Sequence, residues 1–232
     1  MIMRTKNFSF LCAVIFLFAA ISVSAQKTED RPVGSFTKIG MGISGDLYVS
    51  QGTTPKLTIE ADEEIIGLIV TEVKNNELKI RFSQSRVKAK TPIRIWVTTA
   101  EIEGLYLSGS GNIITETSVK SDEIELKLSG SGNIKVKDLT CDELDAAISG
   151  SGNIDVAGSA DEMEIAISGS GNCNADALKT EESGVRISGS GNCKINASKE
   201  LSVAVSGSGS VFYVGNPVID AAISGSGKIR KL

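Results

Sequence analysis

The chain has 232 residues, with 24 Lys and Arg against 28 Asp and Glu, no histidine and four cysteines. A mildly acidic chain without a basic run excludes an electrostatic nucleic-acid binder. So few cysteines rule out a disulfide-built scaffold, and with histidine absent they make a zinc centre or a Cys/His nucleophile untenable. The first element is "MIMRTKNFSFLCAVIFLFAAISVSAQ", in which a basic start, an apolar run over 8–21 and Val23-Ser24-Ala25 predict a signal peptide over 1–25. Cys12 sits inside that run and is not read as a lipid-attachment residue. No later stretch reaches the roughly 18 apolar residues of a transmembrane segment. The chain is therefore expected to be exported, to the periplasm or the outer cell surface. The polar residues 26–34 read as disordered.

Residues 35–107 read as an irregular region. "ISGDLYV" (43–49) is a worn copy of a cassette that recurs later, placed by its distance about three coils before it. "KLTIE", "ELKIRF" and "IRIWV" alternate as strands, with a turn at Asn75-Asn76. Between them Ile65, Leu68, Ile69 and Val73 fall at helical spacing and predict a short helix over 62–73, with Asp62 as its N-cap.

From residue 108 to 232 one cassette dominates, beginning as "LSGSGNI" and ending as "ISGSGKI". Its first serines stand at 108, 129, 149, 168, 188, 206 and 224, at intervals of 21, 20, 19, 20, 18 and 18 residues. A period near twenty is the mark of a solenoid whose repeats bury their apolar faces only by stacking. Within a repeat Ile124, Leu126, Leu128, Gly130, Gly132, Ile134 and Val136 share one parity, and Ser129, Ser131 and Asn133 share the other. Such alternation specifies strands with one face in and one out. The expected fold is all-β, a right-handed parallel β-helix of about twenty residues per coil with one short helix near its N-terminal end. Glycine on the inward parity marks a corner or a close backbone approach. Cys173 and Cys193 fall in the inward slot of Ile134 and Ile154, where buried thiols are expected over a bridge.

The exported start, "LYVSQGTTPKLTIEADEEI" followed by "ELKIRF", and the serial "SGSGN" cassettes resemble the head GIN domain family, described as auto-transporter adhesins of Bacteroidetes-type bacteria. The resemblance spans roughly residues 35–232. It implies a β-helix similar to pectin-lyase-like folds and an adhesive role, and it carries no catalytic residue, metal or cofactor.

Two functions compete. In the first, the outward residues Ser110, Asn112, Ser131, Asn133, Ser151, Asn153, Ser170, Asn172, Ser190 and Asn192 stack into a ladder that hydrogen-bonds a glycan or another cell-surface component. Stacked asparagines also serve as a purely structural ladder. In the second, the β-helix carries a polysaccharide lyase or hydrolase, which needs converging carboxylates. The acidic pairs Asp122/Glu123, Asp142/Glu143, Asp161/Glu162 and Glu181/Glu182 recur at one position of each coil, which reads as a solvated rim. The non-catalytic binding module is the favoured expectation.

Overall fold

The structure, a computed structural model, describes residues 26–232; the predicted signal peptide lies outside them. It is 71% strand and forms a β-solenoid of about six turns, with roughly twenty residues per turn. The N-terminal elements are β1 (Gln26–Arg31), β2 (Lys38–Met41), β3 (Asp46–Gln51), β4 (Lys56–Asp62), α1 (Glu63–Ile66), β5 (Ile69–Lys74), β6 (Glu77–Phe82) and β7 (Arg94–Thr99). The coils continue through β8 (Gly104–Gly109), β9 (Asn112–Thr115), β10 (Val119–Lys120) and β11 (Glu123–Gly130). Four long strands then wrap their corners without a break: β12 (Asn133–Gly150), β13 (Asn153–Gly169), β14 (Asn172–Gly189) and β15 (Asn192–Gly207). β16 (Ser210–Val214), β17 (Val218–Gly225) and β18 (Lys228–Lys231) complete the last turns.

Parallel register holds identical residues over one another. Ser129 lies beside Ser149, Ser149 beside Ser168, Ser168 beside Ser188 and Ser188 beside Ser206. Inside, Leu107, Leu128, Ile148, Ile167, Ile187 and Val205 form one buried stack, and Ile113, Ile134, Ile154, Cys173, Cys193 and Val211 another. The alternation breaks where two successive residues face solvent, as at Lys137-Asp138 and Asp142-Glu143; these are the remaining corners of the coil. The inward row comes to light at the last turn, where Ile219 and Ile223 are 39% and 42% exposed beside the charged Lys228, Arg230 and Lys231.

The two glycines of a cassette do different work. Gly150 has φ of +137° and turns the corner, and a Cβ on it would lie 2.4 Å from the Gly130 carbonyl oxygen. Gly152 is buried, and a Cβ there would lie 2.2 Å from the Gly132 oxygen and 2.6 Å from Leu128 Cδ2. Hence the inward glycine is required by the backbone of the preceding coil as much as by the core.

Three expectations for the N-terminal region are corrected. The segment 26–34 is not disordered: β1 pairs antiparallel with β4 from Gln26 opposite Asp62 to Arg31 opposite Leu57. Backbone pairing and the Arg31 guanidinium, which donates to the carbonyls of Ile66 (2.8 Å) and Ile69, hold a strand that has no apolar face. The helix over 62–73 shrinks to Glu63–Ile66, because Ile69–Lys74 pairs antiparallel with β6 around Asn75 and Asn76, both at positive φ. Asp62 makes no cap bond; its carboxylate accepts from the N–H groups of Lys90 and Thr91 at 2.7 and 3.1 Å. Finally, the worn copy is one coil from the first full cassette, since β2 and β3 pair directly with β8 and β9. β6 and β7 pair on the other side of β2 and β3, so β2 and β3 lie inside the stack, and the chain folds outward from them before returning at β8 and β9. β4 and β5 cover the outer strands antiparallel and close that end.

Gly152→Val is expected to lower stability by about 3 kcal/mol, because neither the Gly132 carbonyl nor Leu128 can retreat within stacked coils. Gly67, at φ of −70° and with no atom within 4 Å of the place a Cβ would take, serves as the control. Gly67→Ala should change stability by less than about 1 kcal/mol. Urea denaturation of both variants checks this; an unchanged midpoint for Gly152→Val would refute the close approach.

Candidate functional site

Each cassette corner places its second serine and its asparagine differently. The backbone N–H of Ser131 donates to the Gly109 oxygen at 3.1 Å, and that of Gly132 donates to the same oxygen at 3.0 Å. This fork pins the corner and turns the side chains of Ser110, Ser131, Ser151, Ser170 and Ser190 to solvent, where they are exposed. Among the described residues these five hydroxyls have no hydrogen-bond partner.

The asparagines stand one step further on and are joined to one another. Asn133 Nδ2 donates to Asn112 Oδ1 at 2.9 Å, Asn153 to Asn133 at 2.9 Å, Asn172 to Asn153 at 3.0 Å and Asn192 to Asn172 at 3.1 Å. All amides point the same way along the solenoid. The donor end closes on Asp46, whose carboxylate accepts from Asn112 Nδ2 at 2.7 Å; at the other end Asn192 Oδ1 accepts from the Ser210 N–H at 3.2 Å. Aligned amide dipoles reinforce one another and here end on an anion at their positive pole. The predicted ladder is thus assembled in register, with its amides engaged internally and its hydroxyls open.

Beside the serine corners runs a shallow groove of about 920 Å³. Its floor is made by the outward Ala147, Ala166, Ala204 and Ala222, its rim by Ser149, Ser168, Ser188 and Ser206, and Lys127 and Arg186 interrupt it. Arg186 leans away onto Glu164 at 2.8 Å, and Lys127 pairs with Glu125. Burial opposes ionisation of Glu125, yet hydrogen bonds from Lys127 and Tyr106 hold its carboxyl below the usual range.

The acidic pairs at 122/123, 142/143, 161/162 and 181/182 are all exposed at one corner. Glu143 is pushed above the usual carboxylate range by Asp145 first, then by partial desolvation and by Glu123, Glu162 and Glu164. The cause is a stack of like charges repeated from coil to coil. Among the described residues no group of three or more Cys, Asp or Glu is placed to hold a metal ion. Cys173 and Cys193 are fully buried register partners; their mutual hydrogen bond, then burial, drives the Cys193 thiol well above its ordinary value. Burial, with Asp142 and Asp161 nearby, pushes Cys141 up to about 12. These are unreactive thiols.

One pair of residues escaped the sequence reading. Tyr48 and Trp96 are register partners whose rings stack with centroids 5.6 Å apart and planes 18° from parallel. Both are half-buried, whereas Leu47, Val49, Ile95 and Val97 beside them are buried. The alternation in "LYV" and "IRIWV" places both rings outward, but only the pairing of β3 with β7 brings them together.

Set beside known proteins, residues 35–217 match the family described as "Putative auto-transporter adhesin, head GIN domain". A crystal structure of a "putative adhesin" from Bacteroides fragilis is 29% identical with a TM-score of 0.86, over 90% of this chain and 97% of that one. A "putative lipid binding protein" from Parabacteroides distasonis is 26% identical with a TM-score of 0.73, over 89% and 96%. A "putative adhesin" from Parabacteroides merdae, at 23% identity and a TM-score of 0.73 over 89% and 96%, shares the fold. No curated protein matches the chain. No helix among the described residues is long and apolar enough to cross a membrane.

The raised Glu143 carboxyl has a testable consequence. A carboxyl whose folded pKa lies above its unfolded one destabilises the fold when ionised, and the penalty disappears below the unfolded pKa. Glu143→Gln should therefore raise the thermal midpoint at about pH 7.5 and leave it unchanged at about pH 3.5. Calorimetry at the two pH values decides it; an equal shift at both would remove charge repulsion as the cause.

Proposed function

The chain belongs to the head GIN domain family, and from that premise we propose that it acts outside the cytoplasm as a non-catalytic adhesion module. Its ligand is an extended glycan or another cell-surface component, met by the serine corners. The observation that carries this reading is the row of five exposed, unpartnered hydroxyls at Ser110, Ser131, Ser151, Ser170 and Ser190, repeated at the coil spacing of about 4.8 Å. Each asparagine of the adjoining row, Asn112, Asn133, Asn153, Asn172 and Asn192, keeps one further amide N–H beyond its ladder bond. A regular polymer laid along the solenoid would meet the same weak contact in each coil, and strength would come from their number.

Serine and asparagine substitutions separate scaffold from surface. Asn153→Ala breaks ladder bonds on both sides and should cost about 1–2 kcal/mol of stability. Ser151→Ala breaks none, and should weaken attachment to immobilised glycans or host cells only slightly. The combined change at Ser131, Ser151, Ser170 and Ser190 to Ala should abolish attachment with the circular dichroism and thermal midpoint unchanged. Wild-type attachment by that folded variant would sink the serine face as the contact.

The apolar groove supports a second reading, an acyl chain lying along the alanines; the similar Parabacteroides distasonis protein is described as lipid binding. Displacement of a fluorescent fatty acid tests it. Ala166→Lys with Ala204→Lys should then block uptake, and uptake unaffected by both would remove the groove from consideration.

A further inference from the structure

We propose that Tyr48 and Trp96 form a stacking subsite for a neutral oligosaccharide. The proposal rests on the reading of the chain as a binding module and gives that reading a ligand class and a second contact. The rings occupy adjacent parallel strands, offset and near-parallel, on backbone whose inward side chains are fully packed. They are therefore held rigidly outward. Ile114 extends the row beyond Tyr48 and Thr58 beyond Trp96. At about 4.8 Å per strand the strip is roughly 14 Å long, room for on the order of three pyranose rings.

The surroundings favour an uncharged, hydroxyl-rich partner. On one side of the strip lies a line of fixed polar groups: Arg94 donates to Glu60 at 2.9 Å, and Asp46 accepts from Asn112 at 2.7 Å. On the other side stand the hydroxyls of Ser50 and Thr98. Asp30 accepts from Thr58 and faces Lys56 at 4.0 Å. Arg94 is neutralised by Glu60, while the Asp46 carboxylate on the same border is met only by the neutral Asn112 amide, so this border is on balance negative and disfavours an anionic membrane or an acidic polymer. A pyranose has an apolar C–H face that rests on aromatic rings and a hydroxyl rim that both donates and accepts. The flanking carboxylates, amide and guanidinium supply both partners at the ring edge. Asn112 is also the first rung of the asparagine ladder, so a glycan lying along the coils would arrive at these rings.

Trp96 is the only tryptophan in the sequence, so its emission reports on this strip alone. The protein would be titrated with β-1,4-linked hexamers of glucose, mannose and N-acetylglucosamine. At least one should change the emission saturably. Tyr48→Ala should weaken that binding about tenfold, and Tyr48→Phe, which keeps the ring, less than about threefold. The proposal is overturned if none of the three gives a saturable change. It is equally overturned if folded Tyr48→Ala binds as wild type, or if only polygalacturonate or anionic phospholipid vesicles elicit a response. The fourfold serine variant keeps this test distinct from the preceding one. A Trp96 response combined with serine-independent attachment would leave the subsite standing and remove the serine face. Serine-dependent attachment without any Trp96 response would do the reverse.

Discussion

The contact on which the rest of the molecule depends is a carbonyl oxygen resting where a side chain would begin. The Gly132 oxygen occupies the space a Cβ on Gly152 would need, and the Gly130 oxygen does the same at Gly150. The oxygens of Gly130 and Gly150 also accept a forked pair of N–H groups from the next coil. Backbone thus stacks on backbone at every cassette corner, at the separation of paired strands. Any residue larger than glycine would have to push whole coils apart. That is why a chain with an otherwise variable repeat keeps its cassette while Ile gives way to Cys, Val or Ala in the rows behind it.

Once the corners are pinned, the polar residues that flank them have little freedom. The asparagines fall close enough for their amides to bond along the axis, each contributing on the order of 1 kcal/mol and each polarising the next. The row does not stop with them. Through Asp46 it passes to Arg94 and Glu60 on strands of quite different sequence, joined by the same register. Polar continuity therefore crosses from the regular coils into the irregular end. The antiparallel strands there shield the outermost edges, and the stacked rings sit directly beside that line. β2 and β3 are paired on both sides, whereas β1, laid antiparallel on β4, forms the outer edge.

The coil was legible because it obeys two local rules, alternation and a period near twenty, that need no knowledge of distant partners. The parity of Ile134, Val136 and Gly132 was enough to place them inside. What could not be read was pairing at a distance. Gln26–Arg31 is polar throughout and becomes a strand only because β4 offers an edge and because Arg31 reaches two carbonyls of the α1–β5 turn. Ile65, Leu68, Ile69 and Val73 mimic one face of a helix, yet Val73 is 37% exposed, since the segment from Ile69 pairs with β6 instead. Tyr48 and Trp96 were readable as outward residues, but their meeting depends on two segments nearly fifty residues apart becoming neighbours. Likewise the sequence could place serine and asparagine on one ladder, but the division between open hydroxyls and engaged amides is a matter of distances.

The coils differ in length, from 18 to 21 residues, yet the cassette residues remain in strict register. The surplus is taken up elsewhere, at the register shifts between Val136 and Leu139, Asp155 and Ala157, and Ala175 and Lys179. One side of the molecule absorbs insertions and deletions so that the other never feels them. The serine face is in effect a ruler, graduated by the hydrogen bond itself. Because each coil contacts only its neighbours, the number of coils sets the length of the ruler without altering its divisions. The reach of this face along the axis therefore scales with the number of coils, while the chemistry of each mark stays the same.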